Sequence, residues 1–122
     1  AMTNPKPVQD PLPICVGGSG LKRTIPAAAK YADHWNYGSP TMTVDDFAMR
    51  NAVFLEALAN EGRDRSDVTV SVIVRYAGDL DAMVREAEAF GAAGIDLGIV
   101  SIPKSDDPSI VEPIAEALAA LQ

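Results

Sequence analysis

Short apolar runs alternate along this chain with longer amphipathic stretches. The clearest run is 68–74, whose four valines share one face while Ile73 makes the other face apolar enough to be covered as well. A strand that is apolar on both sides suits a parallel sheet. Three shorter strands are predicted at 12–16, 34–37 and 95–100.

A helix is predicted after each strand. The first is expected at 21–32, where Pro26 is tolerable only in the first turn and Thr24 is therefore the expected N-cap. The others are predicted from the capping box at 43–46 to Gly62, from Asp79 to Gly91 or Gly94, and from about Pro108 onward. The helical period predicts these inward-facing residues: Val44, Phe47, Phe54, Leu55 and Leu58, then Leu80, Met83, Val84, Ala87 and Phe90, then Ile110, Val111, Ile114, Leu118 and Leu121.

The order strand–helix, repeated four times, predicts an α/β fold with a parallel sheet and right-handed crossovers. We predict a single domain at 12–122 after an extended proline-rich lead-in at 1–11, whose first two residues resemble a cloning remnant. A doubly wound open sheet would be complete by itself. The preferred prediction is half of a TIM-type (βα)8 barrel. Such a half barrel leaves its inner face and two strand edges bare, so we expect it to associate with itself or with a separate N-terminal half.

Composition narrows the class of partner. The 122 residues carry a net charge of −7 and no basic cluster, which argues against nucleic acid and against an anionic membrane surface. Cys15 is the single cysteine, so no disulfide framework is possible and a reducing, cytoplasmic compartment is expected. No apolar run approaches the roughly 18 residues of a membrane span.

A glycine-rich turn, Gly17-Gly18-Ser19-Gly20, joins the first strand to the first helix. Glycine permits positive φ and lets a ligand approach the backbone closely. The first N–H groups of a helix have no partner inside the helix, and the helix dipole favours an anion there. The turn is therefore a candidate phosphate cradle. The alternative is a strand–helix turn whose glycines only solve a geometric problem.

Three side chains near this turn have two interpretations each. Lys22 and Arg23 either neutralise a bound phosphate or are solvated. Trp35 either stacks on a bound ring system or packs beneath the helices.

The sequence gives little support to a serine nucleophile or to a zinc site. Ser19 does not lie in a nucleophile elbow, because Leu21 stands where the G-x-S-x-G pattern needs glycine. Cys15 and His34 are too few soft ligands for a zinc site. We therefore assign no catalytic residue and no metal site.

Several sequence motifs occur in a characteristic order. Pro-Lys-Pro-Val-Gln-x-Pro precedes the first strand, which continues Pro-Ile-x-Val-Gly-Gly-Ser-Gly, and the first helix ends in Ala-x-x-Tyr-Ala-Asp-x-Trp-Asn. Gly62-Arg63-Asp64 precedes the third strand, and Ala92-Ala93-Gly94-Ile95-Asp96 leads into the fourth. Over residues 6–121 this order resembles the C-terminal half of the luciferase-like monooxygenase superfamily, above all members that use the deazaflavin coenzyme F-420.

The resemblance implies a (βα)8 barrel of which this chain holds the last four strands, and a flavin- or deazaflavin-dependent oxidoreductase. FMN or coenzyme F-420 would bind at the carboxyl ends of the strands, with the glycine turn at its phosphate. The candidate cofactor-binding residues are Gly17, Gly18, Ser19, Gly20, Lys22, Arg23 and Trp35.

This chain departs from the family pattern in two ways. The first four strands, which supply most groups implicated in the chemistry, are missing, and His34 stands where glycine is usual. Two alternatives therefore stay open. One is a homo-oligomer that binds a small phosphorylated ligand without catalysis, and the other is a structural fragment covered by a partner.

Overall fold

The computed structural model describes residues 6–39, 41–104 and 107–121. In chain order its elements are β1 (Cys15–Gly17), α1 (Thr24–Tyr31), β2 (His34–Tyr37), α2 (Val44–Asn60), β3 (Thr69–Arg75), α3 (Leu80–Ala92), β4 (Leu97–Ser101) and α4 (Val111–Ala119). Short 3₁₀ turns at Arg65–Asp67 and Pro108–Ile110 precede β3 and α4. Residues 6–12 of the lead-in are exposed and form neither helix nor strand, while the suggested cloning remnant lies outside the described residues.

The four strands form one parallel sheet in the order β1-β2-β3-β4. Val16 aligns with Trp35, Trp35 with Val70, and Val72 with Gly98, so these positions share one face of the sheet. Each helix packs against the next, α1 on α2, α2 on α3 and α3 on α4, in a row that follows the strand order. The predicted α/β fold, with a parallel sheet and alternating strands and helices, is confirmed.

Element boundaries differ from the prediction mainly where elements start. β1 covers 15–17 rather than 12–16, since Pro11 and Pro13 have no N–H for a strand ladder. β4 covers 97–101 rather than 95–100. Thr24 is the first residue of α1, and the N-cap is Arg23, which makes no side-chain cap hydrogen bond. The prediction of Thr24 as N-cap was therefore wrong by one position.

An aromatic cluster fills the space between the sheet and the helices. Trp35 of β2 lies with its ring centroid 4.3 Å from that of Phe54 and 6.3 Å from that of Phe47, both on α2. Phe47 also meets Phe90 of α3 edge to face at 5.8 Å. All four side chains are fully buried. Each contributes about 1.5 to 3 kcal/mol through burial, and the ring pairs add roughly 0.5 to 1.5 kcal/mol.

The inward faces of two helices differ from the prediction at three positions. Leu55 of α2 is 39 % exposed, and Asn51 is buried on that helix instead. Positions 47, 51, 54 and 58 form one stripe at helical spacing, and Leu55 lies on its flank. Val111 and Leu121 are also exposed, because Val111 is the first residue of α4 and Leu121 lies beyond its last turn, while only Ile114 of α4 is buried.

The predicted N-cap residues of α2 and α3 are confirmed. Thr43 accepts a hydrogen bond from the Asp46 N–H at 3.2 Å, and Asp79 accepts one from Ala82 at 2.9 Å. Gly62 and Gly94 take positive φ, 69° and 102°, just after α2 and α3. The capping box at 43–46 is formed only on the threonine side, because the Asp46 carboxylate bonds Tyr37 and Arg50 instead.

Three polar residues from the family-like motifs support the fold. Asp33 accepts the Ile14 N–H at 2.7 Å, which fixes the start of β1 beside β2. Arg63 donates to the carbonyls of Ala29 and Ala32 at 2.9 and 2.8 Å, which ties the end of α1 to the connection after α2. Asp96 accepts the Val70 N–H at 2.7 Å. These motifs therefore have structural uses that need no ligand.

The sheet face opposite the aromatic cluster is only partly covered. Thr69, Leu97 and Ile99 are exposed there and Ile73 is half-buried, so the expectation that the Ile73 face is covered does not hold within this chain. We call this surface the open face. Within 6–39, 41–104 and 107–121, none of the helices has the length and apolar character needed to cross a membrane.

Candidate functional site

The glycine turn lies at the carboxyl end of β1, between that strand and α1. Its backbone is held from three sides. The Gly18 N–H donates to the Asn36 carbonyl at 2.9 Å, and the Gly18 carbonyl accepts the indole N–H of Trp35 at 2.8 Å. The Ser19 hydroxyl donates to the Gly38 carbonyl at 2.6 Å, and the Ser19 carbonyl accepts a hydrogen bond from Arg50. The turn is thus pre-organised by β2, the loop after β2, and α2.

The three glycines of the turn are there for different reasons. Gly18 has φ +111°, and a Cβ there would lie 3.3 Å from Thr24 Cγ2. A Cβ on Gly20 would lie 3.0 Å from Thr24 Oγ1. A side chain at either position would therefore crowd Thr24, and at Gly18 the positive φ would add strain. Gly17 is different, because a Cβ there would meet nothing within 4 Å. The space beside Gly17 is therefore open to a ligand.

The start of α1 faces the same turn. The N-cap residues of α2 and α3 make side-chain cap hydrogen bonds, whereas Arg23 at α1 and Ile110 at α4 make none. The Ile25 N–H donates to the Gly20 carbonyl at 3.0 Å and Pro26 has no N–H, so the start of α1 favours an anion chiefly through its helix dipole. Lys22 and Arg23 are both exposed beside the turn, where their positive charges favour a bound anion.

Trp35 lies behind the turn and not in front of it. Its side chain is fully buried among the helix-side aromatics, and its N–H is used by the Gly18 carbonyl. A ring with no exposed surface cannot stack on a bound ligand. The prediction that Trp35 contacts a cofactor ring is therefore replaced by the packing alternative, in which Trp35 positions the backbone of the turn.

Ser19 also uses its hydroxyl in a hydrogen bond within the protein. Its hydroxyl hydrogen goes to the Gly38 carbonyl, and the residue is only 9 % exposed. Ser19 therefore offers its backbone, and not its hydroxyl, to a ligand.

A polar network on the helix side supports the turn. Asp46 accepts a 2.5 Å hydrogen bond from the Tyr37 hydroxyl and pairs with Arg50 at 2.9 Å. The Arg50 guanidinium first, and the Tyr37 hydroxyl second, lower the pKa of Asp46 from 3.8 to about 2. Burial, followed by the bond to Asp46, raises the pKa of Tyr37. The same Arg50 holds the Ser19 carbonyl, so this charged network reaches the candidate site.

We expect this network to make stability depend on pH in the acid range. Because the pKa of Asp46 is lower in the folded state, its contribution is complete above about pH 4 and is lost as the pH falls toward 2. After allowance for solvent screening it amounts to about 1 to 2 kcal/mol. Urea unfolding of the wild type and of Asp46→Asn should differ by this amount at pH 7, and the difference should vanish near pH 2. A difference that stays constant with pH would contradict the assignment.

Sequence reasoning missed a second polar cluster, on the open face. The Ser71 hydroxyl lies 2.6 Å from His34 Nε2 and accepts the Asn36 side-chain N–H at 2.7 Å. Alternation along β2 does place His34 and Asn36 on one face, and that signal was available. Their meeting with Ser71 depends on the register between β2 and β3. Ser71 has no exposed surface, so its hydroxyl is not accessible as a nucleophile.

The residues of the turn also lie far from a cavity of about 360 Å³ between α3, α4 and β4. That cavity is mainly apolar and is lined by Val74, Leu118 and Leu121, among others. Because β1 and β4 are opposite edges of the sheet, the cavity and the glycine turn are separate features.

In chemical terms, the described residues of the turn can bind an anion but offer no acid, base or nucleophile to act on it. Within the described ranges, no three His, Cys, Asp or Glu side chains come together in a way that would hold a metal ion. Comparison with known proteins gives no match to a family model and none to a curated protein.

Proposed function

We propose that this chain is the C-terminal half of a (βα)8 barrel of luciferase-like type, and that its glycine turn binds the phosphate of FMN or coenzyme F-420. The observation that carries the proposal is the rigid turn at the carboxyl end of β1. There Gly17 borders open space and α1 begins without a side-chain cap. In parallel α/β folds, ligands bind at the carboxyl ends of the strands.

The strand order favours a half barrel over a doubly wound sheet. A doubly wound sheet reverses its strand order at a switch point, with helices on both faces. Here the order runs β1-β2-β3-β4 without reversal, and each helix packs on its neighbour. Right-handed crossovers that always step in one direction place every helix on the same face. That arrangement is what a barrel requires.

The residues present fit the phosphate end of the cofactor. The helix dipole at the start of α1 favours an anion, and Lys22 and Arg23 supply positive charge in a chain whose net charge is −7. The Ser19 hydroxyl is held by Gly38 and takes no part. When bound, a flavin or deazaflavin supplies the hydride chemistry, and the contribution of this chain is to hold and orient it.

A second function uses the same turn without redox chemistry. The side chains beside the turn are Lys22, Arg23 and Ser19, and the Ser19 hydroxyl is already hydrogen-bonded to Gly38. This set of side chains favours a module that only binds a small phosphorylated ligand. Both functions require the anion at Gly17. The two functions differ in whether the ring of the ligand is recognised. Only the oxidoreductase should bind FMN and inorganic phosphate with different affinities.

We expect Gly17→Asp to weaken FMN binding at least about tenfold, or about 1.4 kcal/mol. The new carboxylate would enter open space, so the fold is kept while the phosphate is repelled. Gly91→Asp is the matched control, because Gly91 has normal φ, equally free surroundings and a place on α3 far from the turn. Calorimetric titration with FMN, coenzyme F-420 and inorganic phosphate provides the measurement.

Riboflavin, which lacks the phosphate, should not distinguish the wild type from Gly17→Asp. Equal FMN affinity in the two aspartate variants would refute the phosphate site. So would a wild type that binds none of the three ligands.

A further inference from the structure

We propose that a second copy of this chain completes the sheet. The β1 edge of each copy pairs in parallel with the β4 edge of the other, and the eight strands close into a ring with two-fold symmetry. This inference rests on the half-barrel part of the proposed function and is independent of whether a cofactor binds.

Both sheet edges lack the protection that edge strands usually carry. β1 reads Cys-Val-Gly and β4 reads Leu-Gly-Ile-Val-Ser, with neither a charged residue nor a proline in either strand. Natural edges are commonly blocked by lysine, proline or a bulge. The Ser101 carbonyl accepts the N–H of Tyr76, directly after β3, so strand alternation directs the N–H groups of Gly98 and Val100 away from β3. Those groups are available to a further strand.

Exposed apolar side chains are concentrated at the two ends of the strand order. Of the twelve large ones among the described residues, five belong to the lead-in and the first βα unit: Val8, Leu12, Ile14, Leu21 and Tyr31. Five belong to the last unit: Leu97, Ile99, Ile102, Val111 and Leu121. Only Met49 and Leu55 lie between them. The surfaces that β1 and β4 would bring together are therefore the apolar ones.

The total surface is also larger than a free-standing monomer requires. The chain exposes 8121 Å², whereas a folded monomer of 12.9 kDa is expected to expose roughly 6300 Å². Part of the excess of roughly 1800 Å² belongs to the extended lead-in. A stable interface needs about 800 Å² from each partner, which is less than this excess.

A second copy suits this surface better than an unrelated partner. Any partner that closes the ring must offer two parallel edges in the correct direction and spacing, and another copy does so by construction. The contact joins two different edges, β1 of one copy and β4 of the other. Such a contact gives a closed dimer only if the curvature of the sheet completes a ring after two copies. Eight strands enclose a space that side chains can fill, and the open face supplies Ser71, Ile73 and Ile99 to fill it.

The test compares two double substitutions of matched exposure. Leu97→Lys with Ile99→Lys places charges on the open face, at residues 46 % and 41 % exposed. Met49→Lys with Leu55→Lys, at 47 % and 39 %, makes an equal charge change on α2. Light scattering after gel filtration, without flavin or phosphate, should give twice 12.9 kDa for the wild type and for the α2 variant. The β4 variant should elute as a monomer.

Cys15 supplies a readout that needs no substitution. It is the single cysteine and is exposed in the isolated chain. Because Val16 faces the helices, Cys15 lies on the open face and becomes covered in the closed dimer. Its reaction with a thiol reagent should be slow in concentrated protein and at least about tenfold faster on dilution below the dissociation constant.

A wild type that stays monomeric up to millimolar concentration would overturn the proposal. Dissociation of both double variants, or of neither, would place the interface elsewhere. Growth beyond two copies would show that the edges pair without closing, and would refute the ring. Since no ligand is present, failure here is distinct from failure of the phosphate site, which is measured by the Gly17→Asp titration.

Discussion

Replacing Trp35 by alanine should lower the free energy of unfolding by about 3 to 5 kcal/mol, as is usual for a large aromatic residue removed from a core. Trp35 is fully buried and contacts the rings of Phe47 and Phe54. Its loss also leaves the Gly18 carbonyl without its indole donor. Small domains are stable by only about 5 to 15 kcal/mol, so this variant should be close to unfolding at 37 °C.

Trp35→Phe is the control that separates packing from hydrogen bonding. It keeps most of the ring volume and loses the N–H, so the cost should be about 1 to 3 kcal/mol. Since Trp35 is the single tryptophan, unfolding must be followed by circular dichroism. A loss below about 1 kcal/mol for Trp35→Ala would be incompatible with the aromatic core described above.

Replacing Asp46 by alanine should lower the free energy of unfolding by about 2 to 4 kcal/mol at pH 7. The substitution leaves the buried Tyr37 hydroxyl without its acceptor and the half-buried Arg50 without its counter-charge. Arg50 also holds the Ser19 carbonyl, so the glycine turn should loosen and anion affinity should fall together with stability.

Asp45→Ala is the matched control for this effect. Asp45 is the preceding residue in the first turn of α2 and is exposed, so only its favourable interaction with the helix dipole is lost, about 0.3 to 1 kcal/mol. Urea unfolding should be measured at one fixed protein concentration, because any association shifts apparent stability. Equal losses of unfolding free energy for Asp46→Ala and Asp45→Ala would show that the contacts of Asp46 with Tyr37 and Arg50 do not stabilise the fold.

The strands, helices and caps were predictable because their signals are local. The valines of β3 reveal their face by alternation, and Thr43, Asp79 and Gly62 act within one turn of their own helices. Strand starts were predicted less well, because pairing with the neighbouring strand decides which residues join the sheet. Leu55 was placed wrongly for a related reason, since the contact partner of a helix decides which flank of its apolar stripe is covered.

The candidate site could be located from sequence but not interpreted. The glycine pattern marked the turn, yet it gave no means of telling Gly17, which borders open space, from Gly18 and Gly20, which lie close to the Thr24 side chain. Nor did it show that Trp35 lies behind the turn.

The sequence by itself determined the order of elements, the parallel sheet, the caps of α2 and α3 and the position of the glycine turn, because these follow from patterns within a few residues. Only the tertiary structure decided what each polar group contacts. Trp35 meets Gly18 across 17 positions, Arg50 meets Ser19 across 31, and His34 meets Ser71 across 37. Such contacts depend on strand register and helix packing, which bring together residues that no local pattern relates.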